Sequence, residues 1–216
     1  MQLYKPNSSN KGSALSVNYS AKTDKPDFKG DKSFYFQLVA QNGWDNETKN
    51  GKFKDGKKII TKFAPHEIAG ILAAIDRNTS LANVMNVKYV YHDSDKFSSN
   101  VTFEPYFKSE KRGTEWVKTE NQVGFSLRIT KTDKANTENK DSIAIGLTWA
   151  ETKLLYKVLD NGLTHISDSW YSENIARGTE KKEKLAKSSP KQEKVEPVKE
   201  QESEPSPAPE SADLDF

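Results

Sequence analysis

The sequence predicts an α+β fold, in which two antiparallel β-sheets pack together with two helices and a disordered C-terminal tail follows. Two observations predict the folded part. Apolar and polar residues alternate with the period of a strand in several short segments, and the period changes to that of a helix in two others. The order is strands, helix, strands, helix, which indicates one unit of strands and a helix used twice. This duplication rests on element order, because the halves share no exact repeat.

The first half contains candidate strands at 11–19, 33–41 and 57–63. The middle strand shows the clearest alternation, with Phe34, Phe36, Leu38 and Ala40 on one face and Tyr35, Gln37, Val39 and Gln41 on the other. A helix is predicted to begin at Pro65, because proline suits the first helical position. Glu67 then lies in the first turn, where a negative charge is favoured. Apolar residues follow at helical spacing as far as Ile75, and the helix should end near Asn78.

The second half contains more strands and a second helix. We expect strands at 84–92, 99–108, 122–131 and 142–147, joined by hairpin loops at 93–98, 109–120 and 132–141. Val101, Phe103 and Phe107 should share the inner face of the second of these strands. Thr148 is a good N-cap for the helix, and Glu151 three residues later completes a capping box. Asn161-Gly162 could end this helix, or it could continue through 163–171.

Composition divides the 216-residue chain into a basic body and a tail. Residues 179–216 contain seven Lys and ten acidic residues, a net charge of −3, and no aromatic residue except Phe216. Since the whole chain carries +2, residues 1–178 carry +5. A segment as polar as 179–216 cannot bury enough apolar surface to offset the conformational entropy that it would lose on folding. We therefore expect one folded domain at 1–178 and a disordered linker and tail at 179–216.

The end of the tail has a distinctive pattern. From residue 200 onward it carries six acidic residues and no Lys or Arg, and its prolines oppose a helix. It closes on Asp213, Leu214, Asp215 and Phe216, which resembles the acidic tip of bacterial and phage single-stranded-DNA-binding proteins. That resemblance implies that the tip recruits partner proteins and competes for a basic groove when DNA is absent. The alternative is a tail that only keeps the protein soluble.

Several kinds of function have little support in the sequence. The chain has no cysteine, which excludes disulfides and thiolate metal sites and fits a cytoplasmic protein, and it shows no signal peptide or membrane-spanning run. His66, His92 and His165 form no HExxH pair, and no phosphate-binding glycine motif is present. The stretch from His92 to Asp95 could belong to a metal site or a triad, but a strand-end turn is favoured. We therefore expect neither an enzyme nor a bound cofactor.

Four short stretches stand out within residues 10–170: KGSALSV, FYFQLVAQ, KFAPHEIAGILAAI and VYHDSDK. Their residues and their order along the chain resemble the Whirly family of single-stranded-DNA-binding proteins. The resemblance implies two packed antiparallel sheets with helices, in the duplicated ββββα plan, and assembly into a tetramer. Smaller relatives, the positive-cofactor-four coactivators and several phage proteins, use half of this plan as a dimer. The family's Lys-Gly-Lys-Ala-Ala-Leu motif stands here as Lys11-Gly12-Ser13-Ala14-Leu15, one residue shorter and without the second lysine. The resemblance therefore implies a DNA-binding role for Lys11 alone.

Binding a single strand requires cations that follow the phosphates and flat side chains on which bases stack. Positions opposite the apolar faces, and loop residues, supply both kinds. The candidates are Lys11, Tyr19, Lys22, Tyr35, Trp44, Lys58, Lys62, Lys88, Tyr106, Lys108 and Arg128. Taken one at a time, each has an ordinary alternative, since an exposed Lys protects a sheet edge and an exposed Tyr packs against its cross-strand neighbour.

The sequence therefore predicts a homo-oligomer, dimeric or tetrameric, that binds and protects single-stranded DNA without sequence preference. The expected setting is replication, recombination or repair in a bacterial or phage-infected cytoplasm. Replication or recombination proteins would bind through the tip formed by Asp213, Leu214, Asp215 and Phe216. Two alternatives remain open: a transcription regulator or RNA-binding protein on the same scaffold, and a structural or interaction protein.

Overall fold

A computed structural model describes residues 1–20 and 32–188. The candidate Lys22 and the tip Asp213–Phe216 lie outside the described residues. The chain divides into two units, Met1–Ile175 and Ala176–Phe216. The described part of the second unit is the end of one helix.

The first sheet is an antiparallel meander of four strands with a small hairpin inserted before the last. Its strands are β1 (Gln2–Lys5), β2 (Ser13–Ser20), β3 (Ser33–Ala40) and β6 (Lys58–Phe63), in that spatial order, and the inserted hairpin is β4 (Gly43–Asp45) with β5 (Asn50–Lys52). β1 was not predicted, because four residues with a single inward apolar side chain, Leu3, are too short to show a period.

Two helices and the second sheet follow. The two helices are α1 (Pro65–Asp76) and α2 (Leu81–Met85). The strands of the second sheet are β7 (Val90–Asp93), β8 (Phe97–Arg112), β9 (Glu115–Asp133) and β10 (Lys140–Thr148). The chain then continues into a third helix, α3 (Trp149–Ser188). The strands pair in the order β10-β9-β8-β7. Each half therefore has four main strands and a long helix, which confirms the α+β class and the duplicated ββββα plan.

Some predicted boundaries were wrong. No strand runs through 84–92, because Ser80 caps the short helix α2 by accepting a hydrogen bond from the Asn83 amide, and β7 begins only at Val90. The expected loop at 109–120 is strand instead. β8 and β9 continue past the rest of their sheet as a two-stranded ribbon that turns at Gly113. Apart from the adjacent Trp116 and Val117, residues 109–120 are polar or glycine, so they show no alternation of apolar and polar positions.

The predicted helix starts agree with the structure. The Glu67 carboxylate accepts a hydrogen bond from the Ala64 amide at 2.7 Å at the beginning of α1. Thr148 and Glu151 form the expected capping box of α3, in which the Thr148 amide donates to the Glu151 carboxylate at 2.8 Å. α3 then continues to Ser188, so 179–188 is helical rather than part of a disordered tail.

Both sheets and the helices contribute to one apolar core. Its largest fully buried side chains include Phe34, Phe36 and Phe63 from the first sheet and Phe103 and Phe125 from the second. Leu155, Leu159 and Ile166 extend it along α3. The inner face of each sheet is thus buried, and the outer faces remain for function.

α3 passes close to the first sheet at Gly162. A Cβ atom there would lie 2.6 Å from Phe34 Cε1 and 3.2 Å from Tyr19 Cδ1. Gly162 therefore does not end the helix; it allows close packing between helix and sheet. This contact also places Tyr19 on the inner side of β2.

We expect Gly162→Ala to destabilise the protein although alanine is the better helix former. Displacing the Phe34 ring should cost about 1–3 kcal/mol, more than the helix propensity gained. The control is Gly178→Ala in the same helix, where a Cβ meets no other atom within 4 Å. Denaturant unfolding should show a loss for the first variant and none for the second; equal effects would contradict this account.

Candidate nucleic-acid interface

The outer face of the first sheet, here the first-sheet face, carries three of the predicted residues. On β6, Lys58, Ile60 and Lys62 point outward, whereas Ile59, Thr61 and Phe63 are buried. Tyr35 of β3 pairs with Lys62 across the strands and lies on the same face. The strand period thus brings Tyr35, Lys58 and Lys62 together as predicted.

A groove of about 480 Å³ crosses the first-sheet face. Two aromatic rings, Tyr4 and Phe53, stand at one side with their centroids 5.7 Å apart, and Tyr4 is 56% exposed. Lys54 and Lys58 supply the positive charge, and neither forms an ion pair with another described residue. The remaining lining is neutral: Gln2, Ala14, Leu15, Ser16, Asn18, Gln37 and Val39. The groove therefore combines cations, ring faces and amides, without any acidic side chain among its described lining residues.

The outer face of the second sheet, here the second-sheet face, is organised around Tyr106. The Tyr106 ring lies against Gly146 of β10, where a Cβ atom would come within 2.8 Å of the ring. The ring is 43% exposed, so it offers a flat surface on top of the sheet. Arg128 of β9 lines the same groove, as do Ser126 and the single acidic residue Glu104.

Two residues that the sequence did not indicate extend this face. Lys118 of the ribbon lies over the Phe107 ring, with its Nζ 4.2 Å from the ring centroid. Phe107 was expected in the core, but the β8–β9 register shifts on both sides of it, and the bulge leaves Phe107 half-buried beside the groove. Both residues line the groove with Tyr106 and Arg128.

Lys11 lies at the end of a neighbouring groove that also touches Tyr106 and Gly146. Its loop is held by Gln41, whose Nε2 donates to the carbonyl oxygens of Asn7 and Gly43 at 2.8 Å each. Gln41 is buried, although the sequence placed it on the outer face of β3. Lys11 and the second-sheet face therefore form one continuous surface.

The remaining predicted residues are scattered. Tyr19 was expected to point outward, but β2 has Leu15 and Val17 on its buried face, and Tyr19 follows them there, with its hydroxyl 3.0 Å from His165 Nδ1. Trp44 is half-buried in the inserted hairpin, and Lys88 lies in the turn between α2 and β7. Lys108 begins the ribbon and forms an ion pair with Glu110 at 3.5 Å.

Several other cations are used to hold the structure together. Lys5 binds Glu151 at 2.5 Å. Burial raises the pKa of Glu151, but hydrogen bonds from Lys5 and from Thr148 outweigh this effect and hold the pKa below its ordinary value. Lys134 likewise binds Asp93 at 2.7 Å. These pairs join separate strands and helices, so their positive charges are already neutralised.

His92 serves a structural role at the start of α1. Its Nε2 donates to the Glu67 carboxylate at 2.7 Å, and its ring packs edge-on against Phe63. β7 ends one residue later, and the Ser94 amide donates to the Phe97 carbonyl, which confirms the strand-end turn. Asp93 bonds the side chain of Lys134 there.

Residues 1–20 and 32–188 contain no group of three or more His, Cys, Asp or Glu arranged to hold a metal ion. Within the same ranges, no helix combines the length and apolar character needed to cross a membrane.

The fold has counterparts among solved structures. The chain is similar to the plant transcriptional regulator PBF-2, with a TM-score of 0.53 and 16% identity over 80% of this chain and 92% of that one. It is also similar to WHY3 from Arabidopsis thaliana (TM-score 0.52, 16% identity, 83% of this chain and 94% of that one). WHY1 from the same plant gives a TM-score of 0.51 and 18% identity over 82% and 90%. This likeness confirms the Whirly-like fold that the sequence predicted. No protein-family model matches the chain, and no curated protein matches it in sequence.

The Glu67–His92 contact predicts an acid-sensitive stability. Burial raises the pKa of Glu67, but hydrogen bonds from His92 and the Ala64 amide outweigh it and leave the pKa below 4.5. The ionised carboxylate therefore stabilises the protein above about pH 4.5, and this contribution is lost as the pH falls through the folded pKa.

We expect Glu67→Gln to lower the free energy of unfolding by about 1–3 kcal/mol at neutral pH, because a buried hydrogen-bonded charge is removed. The difference in unfolding free energy between this variant and the natural protein should become smaller below pH 4.5. Glu138→Gln, on an exposed loop, is the control and should change little at any pH. This explanation would be contradicted if the loss of unfolding free energy in Glu67→Gln stayed constant down to acidic pH.

Proposed function

We propose that the protein binds single-stranded DNA without sequence preference and that the first-sheet face is its principal binding surface. The observation that carries this proposal is the groove in which Lys54 and Lys58 stand beside two aromatic rings, with no acidic residue in the described lining. Cations in such a groove attract the phosphates of any sequence. The rings of Tyr4 and Phe53 can stack on bases of any kind.

The groove also favours a single strand over a duplex. In double-stranded DNA the base faces are covered by their neighbours, so exposed rings gain no stacking partner there. In a single strand each stacked base contributes about 1–3 kcal/mol. The amides of Gln2, Asn18 and Gln37 add neutral hydrogen-bonding groups along the path.

The main alternative comes from the comparison with PBF-2, which is a plant transcriptional regulator. A regulator of transcription, or an RNA-binding protein, could use the same scaffold. Selection of one sequence over others, or of RNA over DNA, would favour these alternatives in competition experiments. The cations and rings of the groove are suited to phosphates and to the faces of bases, which do not distinguish one sequence from another, so we favour binding without sequence preference.

We further propose that the protein is a homo-oligomer. α3 exposes several large apolar side chains that the core of one chain does not cover: Trp149, Leu154, Trp170, Tyr171 and Ile175. Three of them, Trp170, Tyr171 and Ile175, lie within six residues of one another, and clustered exposed apolar side chains are typical of interfaces between subunits. The helix would supply a self-complementary surface in a dimer or tetramer.

The biological role proposed here is the protection of single strands during replication, recombination or repair, in a bacterial or phage-infected cytoplasm. The protein would act as a binding protein and not as an enzyme. Its acidic tip, Asp213 to Phe216, would recruit the proteins that act on the covered strand. An aromatic residue set among acids is suited to a basic, apolar-lined pocket on such a partner.

The first test of this proposal reverses the charge of the groove. Lys54→Glu combined with Lys58→Glu should weaken binding to single-stranded DNA by at least about tenfold at low salt, and should reduce the slope of log affinity against log salt by about 1.4, because roughly two phosphate contacts are lost. Fluorescence anisotropy of a labelled oligonucleotide measures both quantities.

The control for that experiment changes the net charge equally at another place. Lys153→Glu with Lys181→Glu alters two exposed lysines of α3, neither of which is among the described lining residues of the two grooves. Its binding should stay within about twofold of the natural protein at 0.15 M salt, where distant charges are largely screened. Equal weakening in both double variants would show that only net charge matters, and it would contradict the proposed groove.

The second test concerns the tail. A chain ending at Ser188 lacks three Lys and eight acidic residues, so its net charge rises from +2 to +7. We expect its affinity for single-stranded DNA to be unchanged or higher. Leu214→Ala with Phe216→Ala, in the full chain, should leave DNA affinity unchanged and abolish co-purification of the recruited proteins. Retention of the same proteins by this variant would contradict recruitment by the tip.

A further inference from the structure

We propose that the second-sheet face is a separate single-strand site, so that one molecule bridges two DNA strands and accelerates the annealing of complementary sequences. This inference rests on the proposed binding of single-stranded DNA and adds a second activity to it. It is carried by the positions of two cationic, aromatic surfaces on the two outer faces of the fold.

The second-sheet face has the components of a stacking site. The Tyr106 ring lies against Gly146, where the missing side chain leaves room for it, and 43% of the residue remains exposed. A ring held this way is already ordered, so little side-chain entropy is lost when a base stacks on it. Arg128 lines the same groove and can contact a phosphate or stack on a base itself.

The positive charge of this face is available for a ligand. Among the described residues, neither Arg128 nor Lys118 forms an ion pair. Lys118 is held over Phe107 and is thereby placed beside Tyr106. Lys11 adds a further cation in the neighbouring groove, which shares Tyr106 and Gly146 with this one. Glu104 is the one acidic residue among the described groove lining, so the balance of charge favours an anionic strand.

The two outer faces are separated by the core. Both sheets bury their inner faces against the same cluster of apolar side chains, so their outer faces point away from each other. Packed sheets stand about 10 Å apart, which adds to the length of the outward side chains on both sides. An oligonucleotide of about ten nucleotides, close to the length covered by one small binding domain, should therefore occupy one face at a time.

Two strands held by one molecule are held at a high effective concentration. Tethering of this kind commonly corresponds to the millimolar range, far above the concentration of free strands. The parts of each strand that extend beyond its face remain free to pair. The cations of both faces also reduce the repulsion between the two phosphate backbones. Pairing of complementary strands should then be faster with the protein than without it.

The experiment combines stoichiometry with annealing. Titration of the full-length protein with an oligothymidylate of about ten nucleotides should saturate near two oligonucleotides per protomer at low salt. Fluorophore-labelled and quencher-labelled complementary strands then report the annealing rate. The second-sheet variant is Lys118→Glu with Arg128→Glu, and the first-sheet variant is Lys54→Glu with Lys58→Glu, so the two carry the same net charge.

Each of these two variants should retain about one bound oligonucleotide per protomer. Its annealing rate should fall by about tenfold or more, because bridging needs both faces. Tyr106→Leu keeps the net charge and should reduce the annealing rate without abolishing binding to the first-sheet face. Lys153→Glu with Lys181→Glu should anneal at the natural rate. Far-ultraviolet circular dichroism of every variant confirms that it is folded.

The outcomes separate the two proposals. One oligonucleotide per protomer, together with natural annealing by the second-sheet variant, would overturn the second site and leave the first-sheet site in place. A second-sheet variant that changes only its oligomeric state, by sedimentation, would show that another copy of the chain covers this face, and would also overturn the inference. Absence of binding by the natural protein would overturn the proposed function itself.

Discussion

The burial of both sheets against one apolar core is the constraint on which the rest of the structure depends. Each strand can place only alternate residues inside, and those positions are occupied by Phe, Leu and Ile from both halves of the chain. α3 packs on the same inner side, where Gly162 meets Phe34 and Trp149 meets Phe125. Among the described residues, no helical side chain lines the groove of either outer face. The outer faces are therefore open to a ligand, because the inner faces of both sheets and the apolar side of the helix pack in the core.

The distribution of charge matters more than its sum. A net charge of +2 on 216 residues would not by itself suggest a polyanion as ligand. Several lysines, however, form ion pairs within the fold, as Lys57 does with Asp141. Four of the cations that form no ion pair among the described residues, Lys54, Lys58, Lys118 and Arg128, line the grooves of the two outer faces beside aromatic rings. Their uncompensated charge therefore lies where a strand could bind.

Periodicity predicted the fold class, the duplicated plan and the outward positions on β6, because each of these depends on local alternation. It failed where a local rule is interrupted. The bulge next to Phe107 moves that ring from the expected core to the groove. Tyr19 is a different case, because regular alternation with Leu15 and Val17 along β2 itself places its ring inward. Much of each site comes from residues that are distant in sequence. Tyr4 and Phe53 meet because β1 pairs with β2 at the edge of the first sheet. A strand so short shows no periodic pattern from which the sequence could predict it.

The contact between Tyr106 and Gly146 has a consequence for the history of the chain. The ring fills the space that a side chain at position 146 would need, so neither residue can change freely while the other stays the same. A larger residue on β10 would require a smaller one on β8, and loss of the ring would remove the reason for a glycine within a strand. In an alignment of relatives the two positions should therefore vary together, and descendants that gave up the aromatic residue should show an ordinary strand residue opposite it.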